Sequence, residues 1–254
     1  MKACVVIPFF NHPAAIAGVV ASLKPLGLPC RIIDDGSDPS SQQVLAGIAA
    51  REDWITLQRL PENRGKGAAV MAGCEAALAE GFTHALQIDA DGQHDVASVP
   101  ALLQLALCQP AAVITGQAVY DDSVPRARLY GRYVTHLWVW INTLSFEIKD
   151  SMCGLRVYPL AAACAIWRRY RVGQHMDFDT EILVRLSWGG APVVNVPTRV
   201  SYPRDGVSHF RMLKDNVFIS CMHTRLFFGM LLRLPMLLGR RLLRRRQRGM
   251  NVGP

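Results

Sequence analysis

The 254-residue chain predicts an α/β fold, a mostly parallel sheet flanked by helices with a nucleotide-binding first half, followed by a C-terminal amphipathic helical tail. Three observations predict it. Short apolar runs alternate with helix-length segments over the first two-thirds of the chain. The first run, Ala3–Ile7, is unbroken, as expected of a strand buried on both faces. Excess basic charge is confined to the C-terminal end.

The elements follow in order. After the Ala3–Ile7 strand, Pro13 suits the first turn of a helix reaching about Leu26. Cys30–Ile33 reads as a strand, Ser40–Ala50 as a helix and Ile55–Arg59 as a third strand. Gly67–Glu80 is rich in alanine and helical, with Gly81 to stop it. His84–Ile88 is a fourth strand, Val96–Cys108 a helix and Ala111–Thr115 a fifth strand. Beyond residue 120 the rhythm predicts helices over Arg126–Phe146, Leu160–Tyr170 and Asp179–Trp188, with a strand at Val193–Val196. We place a main domain over residues 1–212 and a helical tail over 213–254. Ligands of such sheets sit at the carboxyl ends of strands, so the loops there are where chemistry is expected.

Composition narrows the function. A chain of this length buries roughly 70–75% of its unfolded surface and needs no disulfide to hold a core. Hydrophobic residues at 50% and charged residues at 19% exclude disorder, collagen and coiled coil. The net charge of +8 comes from eight arginines (225, 233, 240, 241, 244, 245, 246 and 248) in a stretch without acids. The rest of the chain carries 20 basic and 20 acidic residues, which argues against a nucleic-acid-binding face. Seven cysteines without a C-x-x-C pair read as reduced thiols of a cytosolic protein. The apolar stretch after Lys2 leads into Asn11-His12-Pro13, and no signal peptide is expected.

Two expected strand ends carry carboxylates. Asp34-Asp35-Gly36-Ser37-Asp38 has the composition of a turn. Asp89-Ala90-Asp91-Gly92-Gln93-His94 sets two carboxylates and an amide oxygen on alternate residues after a buried strand. Carboxylates so close repel one another unless a cation neutralises them. Mg²⁺ or Mn²⁺ takes a few protein oxygens and completes its shell with phosphate oxygens and water. An EF-hand is excluded, because Pro100 stands where the twelfth-position acid is required. Asn63-Arg64-Gly65-Lys66-Gly67 opens a helix and suits either an anion or a plain glycine turn. It has neither Walker A nor dinucleotide spacing.

These motifs, with Val6-Ile7-Pro8-Phe9-Phe10-Asn11, resemble in order and spacing the family 2 glycosyltransferases of GT-A fold, most of all the dolichyl- or polyprenyl-phosphate mannose and glucose synthase branch. Asp150-Ser151-Met152-Cys153-Gly154-Leu155-Arg156 is similar to that branch's D-x-x-S-G-F-R segment, and Val196-Pro197 with Arg204-Asp205-Gly206-Val207-Ser208 to its V-P…R-x-x-G-x-S segment. The likeness spans roughly residues 3–212. It implies a nucleotide-diphosphate sugar donor and a lipid acceptor. Pro8, Asp34 and Asp35 would line the base and ribose, with Lys66 near the nucleotide. Asp89, Ala90 and Asp91 would face the diphosphate, and Asp89, Asp91 and Gln93 would hold Mg²⁺ or Mn²⁺. Arg204 and Ser208 would close over the diphosphate, and Arg126 and Arg132 would take the acceptor phosphate. Cys153 departs from the usual Ser, Phe9-Phe10 from a more polar pair and His209 from the common Lys.

In that scheme the metal and Arg204 neutralise charge growing on the leaving diphosphate. A phosphate acceptor is nucleophilic at neutral pH and needs no base, whereas a hydroxyl acceptor does. His175-Met176-Asp177-Phe178-Asp179-Thr180-Glu181 reads either as acids compensating a helix start or as the source of that base, Asp179 or Asp177. A silent nucleotide-sugar-binding membrane protein and a nucleotidyltransferase are the rival classes. In the tail, Leu226–Leu232 and Leu234–Gly239 fall short of the roughly 20 apolar residues that span a bilayer. The tail reads as an interfacial helix on anionic lipid at the cytoplasmic face, or as a helix packed on the domain under a basic terminus.

Overall fold

The computed structural model describes residues 1–119, 126–200 and 212–250, and of 126–130, 212 and 243–250 the backbone alone. Its seven strands are β1 (Ala3–Phe9), β2 (Cys30–Asp34), β3 (Ile55–Arg59), β4 (His84–Gln87), β5 (Val113–Val119), β6 (Arg156–Pro159) and β7 (Val193–Arg199). Nine helices accompany them among the described residues: α1 (Pro13–Leu23), α2 (Pro39–Ala49), α3 (Lys66–Ala79), α4 (Val99–Cys108), α5 (Arg126–Thr143), α6 (Leu160–Arg169), α7 (Phe178–Gly189), α8 (Met212–Leu232) and α9 (Leu234–Met250). The strands form one sheet in the order β3-β2-β1-β4-β6-β5-β7. β6 runs antiparallel to both of its neighbours, and the other pairings are parallel.

Both faces of the sheet are covered, and alternation along the strands supplies each. Cys4 and Val6 of β1 join the core beneath α3, α6 and α7, while Val5, Ile7 and Phe9 join the core beneath α1, α2 and α4. That double burial is why β1 reads as an unbroken apolar run. The mostly parallel, helix-flanked architecture is the one expected. β6 is the element not foreseen, since Arg156 and Tyr158 break its apolar character although both are fully buried. β5 also runs to Val119 rather than ending at Thr115.

After residue 212 the chain shares the core of what precedes it. Met222, Leu226 and Met230 of α8 and Leu237 of α9 are buried in the same cluster as Trp188 of α7. Arg225 reaches inward to Glu181. On the outer side of these helices Leu213, Phe228 and Leu232 are exposed, among Lys214, Asn216, Ser220 and Thr224. No single helix among the described residues is long and apolar enough to cross a membrane. Leu213–Leu232 with Leu234–Leu242 reaches that length and composition only as a pair bent by 70°.

Candidate active site

β1, β2 and β3 succeed one another to one side, and β4 lies on the other side of β1. The strand order therefore reverses between β1 and β4, and a crevice opens outside their carboxyl ends. The turn after β4 delivers Asp89, the buried Ala90 and Asp91 there.

Asp89 sits between cations. Lys66 Nζ lies 2.8 Å from both of its carboxylate oxygens, and His94 Nε2 lies 3.7 Å from one of them. Burial works to raise the Asp89 carboxyl, but Lys66 and His94 outweigh it and hold the group well below the usual carboxylate range. Burial would likewise lower His94, yet Asp89 and Cys153 bring it to about 10, so the ring is an imidazolium at neutral pH. Asp91 goes the other way. Burial and the charge of Asp89 raise its carboxyl, while the Gln93 amide donates to it at 3.0 Å and opposes the rise.

Lys66, the first residue of α3, also donates to Asp179 of α7 at 2.7 Å. Gln87 of β4 donates to the other Asp179 oxygen at 3.1 Å. Arg156, wholly buried on β6, donates to the main-chain oxygens of Asp179 and Ser151. One ammonium thus joins carboxylates 90 positions apart in sequence.

The Asp150–Arg156 segment walls the cleft. A Cβ on Gly154 would overlap the Asp89 carboxylate, so only glycine permits the approach. Asp150 is buried, accepts from the amides of Ala118 at 3.1 Å and Met152 at 2.9 Å, and takes Arg132 Nη2 at 2.8 and 2.7 Å. Burial favours its neutral form, but His136, Arg132 and those amides hold it well below the usual range. Arg132 lines the same cleft as Asp89, Asp91, Gln93 and Cys153.

The end of β2 is bound up differently. Asp34 accepts from the Ser37 amide at 3.0 Å and Arg59 Nε at 2.9 Å. Asp35 accepts from the amides of Arg64 at 2.9 Å and Gly65 at 2.8 Å. Its carboxyl is raised by burial, against which those two amides work. The anion held by the Asn63–Gly67 loop is therefore Asp35 itself. Asp38 caps α2 by accepting from Ser41 at 2.7 Å.

Residues 4–173 match the family model described as "Glycosyl transferase family 2". The chain belongs to that family. This family 2 glycosyltransferase is 27% identical over 65% of its length to a dolichyl-phosphate beta-glucosyltransferase of Trichomonas vaginalis, covering 50% of that protein. It is 33% identical over 65% of its length to an undecaprenyl-phosphate 4-deoxy-4-formamido-L-arabinose transferase of Pectobacterium atrosepticum, again covering 50%. The chain thus spans about half the length of these relatives. A crystal structure of glucosyl-3-phosphoglycerate synthase from Mycobacterium tuberculosis with Mn²⁺ and uridine-diphosphate-glucose matches 90% of the chain and 78% of its own, at 16% identity and a TM-score of 0.64. The fold is GT-A.

Around one cleft this glycosyltransferase gathers Lys66, Asp89, Asp91, Gln93, Arg132 and, across Lys66, Asp179. Pro8 lies buried on β1 opposite Ile33, one step before Phe9, which pairs with Asp34 and accepts from the Asp35 amide at the β2 end. Of the acids at 177–181 only Asp179 meets Lys66. Asp177 accepts from the His175 amide at 3.1 Å, and Glu181 is fully buried against Arg185, Arg225 and the Gly173 amide. Arg204, Ser208 and His209 lie outside the described residues, as does the side chain of Arg126. His94, Gly154 and Arg156 appeared in the sequence only as motif letters, and the D-x-D-x-x-H spacing is the signal that points to His94.

A divalent ion suits the donors available. Asp89, Asp91 and Gln93 offer hard oxygens on one turn, and Asp89 Oδ1 is buried there without a hydrogen-bond partner among the described residues. Among the described residues no three His, Cys, Asp or Glu side chains converge on a point. This sparse set requires the ion's remaining positions to be filled by other oxygens.

Proposed function

We propose that this glycosyltransferase transfers a hexose, with inversion, from a nucleotide-diphosphate sugar to a polyprenyl phosphate at a membrane surface. The observation that carries the reading is the cleft shared by the Asp89–Asp91 turn and Arg132. The names of two relatives, a dolichyl-phosphate and an undecaprenyl-phosphate transferase, support the acceptor. The structural neighbour with Mn²⁺ and uridine-diphosphate-glucose supports donor and metal.

Asp89, Asp91 and Gln93 hold Mg²⁺ or Mn²⁺, Asp91 most directly. When bound, the ion supplies positive charge against the diphosphate as it departs. Pro8, Asp34 and Asp35 border the base and ribose, and Asp35 ties the Asn63–Gly67 loop in place for them. Ala90, between the two acids, faces the diphosphate with them. Arg204 and Ser208 cover the diphosphate. Arg126 and Arg132 receive the acceptor phosphate, with Asp150 orienting Arg132. A phosphate oxygen attacks without a base, since its second pKa is about 6.

The position of Asp179 beside Lys66 and Gln87 favours a second reading. There Asp179 accepts the proton of a lipid or polyketide-like hydroxyl acceptor. Asp179→Asn separates the two, abolishing transfer to a hydroxyl while leaving most transfer to a phosphate.

The basic α9 and the exposed Leu213, Phe228 and Leu232 support peripheral attachment to anionic lipid at the cytoplasmic face. Arginines near such a surface contribute up to about 1 kcal/mol each. Purified enzyme given uridine- and guanosine-diphosphate sugars with polyprenyl phosphate should release nucleoside diphosphate and yield a sugar-phosphate lipid by mass spectrometry. Product on a hydroxyl lipid alone would select the second reading, and release of pyrophosphate would end both.

A further inference from the structure

Lys66 stands where a helix disfavours it. It opens α3, where the macrodipole opposes a cation, yet its side chain is only 20% exposed. Two carboxylates hold it there: Asp89, both of whose oxygens lie 2.8 Å from Nζ, and Asp179 at 2.7 Å. Neither carboxylate can readily swing away. Asp179 is fixed by Gln87, with Arg156 Nη1 3.9 Å from the same oxygen. Asp89 is backed by His94 and walled by Gly154. A bare divalent ion approaching Asp89 therefore meets one oxygen, Oδ2, already accepting from Lys66, and an ammonium 2.8 Å from the other, Oδ1, which accepts no hydrogen bond from the described residues. Lys66 is the mobile member of the set, being a flexible side chain with a compact charge that pairs equally well with a phosphate.

We propose that Lys66 is a resident counter-ion that closes Asp89 to free divalent cations and releases it when a diphosphate takes the ammonium, so that metal and nucleotide enter as a pair. The proposal rests on the donor-site reading given above. Linkage then requires the diphosphate to strengthen metal binding and the metal to strengthen diphosphate binding by the same factor. Removing the ammonium should remove most of that coupling.

The test is Mn²⁺ binding to the full chain, by electron paramagnetic resonance of unbound Mn²⁺ and by calorimetry, with Mn²⁺ alone and with uridine or guanosine diphosphate added. The wild type should bind Mn²⁺ at least about tenfold more tightly with one of the diphosphates than without, and Lys66→Arg should behave likewise. Lys66→Met should bind Mn²⁺ alone about tenfold more tightly than the wild type, with the gain from diphosphate reduced by a similar factor. Lys66→Met combined with Asp179→Asn, which restores the local charge balance, should do the same and serves if the single variant does not fold. Unchanged affinity of these variants for free Mn²⁺, with the diphosphate gain intact in the wild type, overturns the counter-ion and leaves the donor site standing. Equal affinity of the wild type for Mn²⁺ with and without diphosphate also overturns it. Absence of Mn²⁺ binding under every condition removes the donor-site reading as well.

Discussion

The ends of β2 and β4 each bear a pair of carboxylates on neighbouring turns of one crevice, yet their partners differ in kind. Asp35 is held by main-chain amides, and Asp34 by an amide and the guanidinium of Arg59. Asp89 is held by the side-chain cations Lys66 and His94. Amides belong to the fold and cannot leave, so Asp35, and Asp34 through Ser37, secure loops. Side-chain cations can be exchanged for others, so Asp89 is available for chemistry, while Asp91 beside it keeps only the Gln93 amide among the described residues. Acid pairs of similar composition are told apart by what answers their charge.

This contrast can be broken in several ways. Asp91→Asn should lower transfer by about a thousandfold, the scale of losing a key electrostatic contact to the transition state, with little change in melting temperature. A matching loss of stability would place the β4 pair with the β2 pair. Gly154→Ala should cost about a hundredfold in kcat/KM while the chain stays folded by circular dichroism, because the new methyl collides with the Asp89 carboxylate. Asp34→Ala should do the opposite, costing about 2 kcal/mol in urea unfolding by orphaning the Ser37 amide and Arg59. Its effect on kcat should stay within a few fold, with the loss of the donor contact appearing as a raised KM for the nucleotide sugar.

A group remote from both strand ends sharpens the contrast further. His223 of α8 packs against Trp138 and Asn142 of α5, and burial lowers its pKa to about 4. A histidine depressed in the folded state favours unfolding once protons bind. Its contribution is complete above the unfolded pKa of about 6.5 and is lost as pH falls from there towards 4. Between pH 7 and pH 5.5 this amounts to about 1 kcal/mol of stability, which His223→Leu should abolish in thermal melts. Transfer measured well below the melting temperature should not follow that titration.

Much of this architecture was legible beforehand, for reasons that can be named. β1 announces itself because a parallel strand buried on both faces is apolar throughout, and β2 and β4 because each keeps an apolar centre, Ile32-Ile33 and Ala85-Leu86. β6 does not, because Arg156 is satisfied by carbonyls from distant segments, a compensation that no local pattern encodes. The Asp89–Asp91 turn was readable from its spacing. Its link to Asp179 was not, since it depends on the starts of α3 and α7 packing together on one face of the sheet. The 177–181 acids looked alike in sequence, and only packing separates Asp179, at the cleft, from Glu181, neutralised in the core. α8 hid its inward stripe of Met222, Leu226 and Met230 beneath the arginines that follow.

The reach of Arg225 into the core has a practical consequence. Cutting the gene after codon 212 is the obvious way to make a smaller, better-behaved enzyme for crystallography. Such a fragment would lose one of the two guanidiniums that answer Glu181, two positions from Asp179, and would expose the indole of Trp188 to solvent. Trimming should begin beyond Arg240, which donates to the Trp188 main-chain oxygen three residues after Leu237, the last of the described residues in the buried cluster.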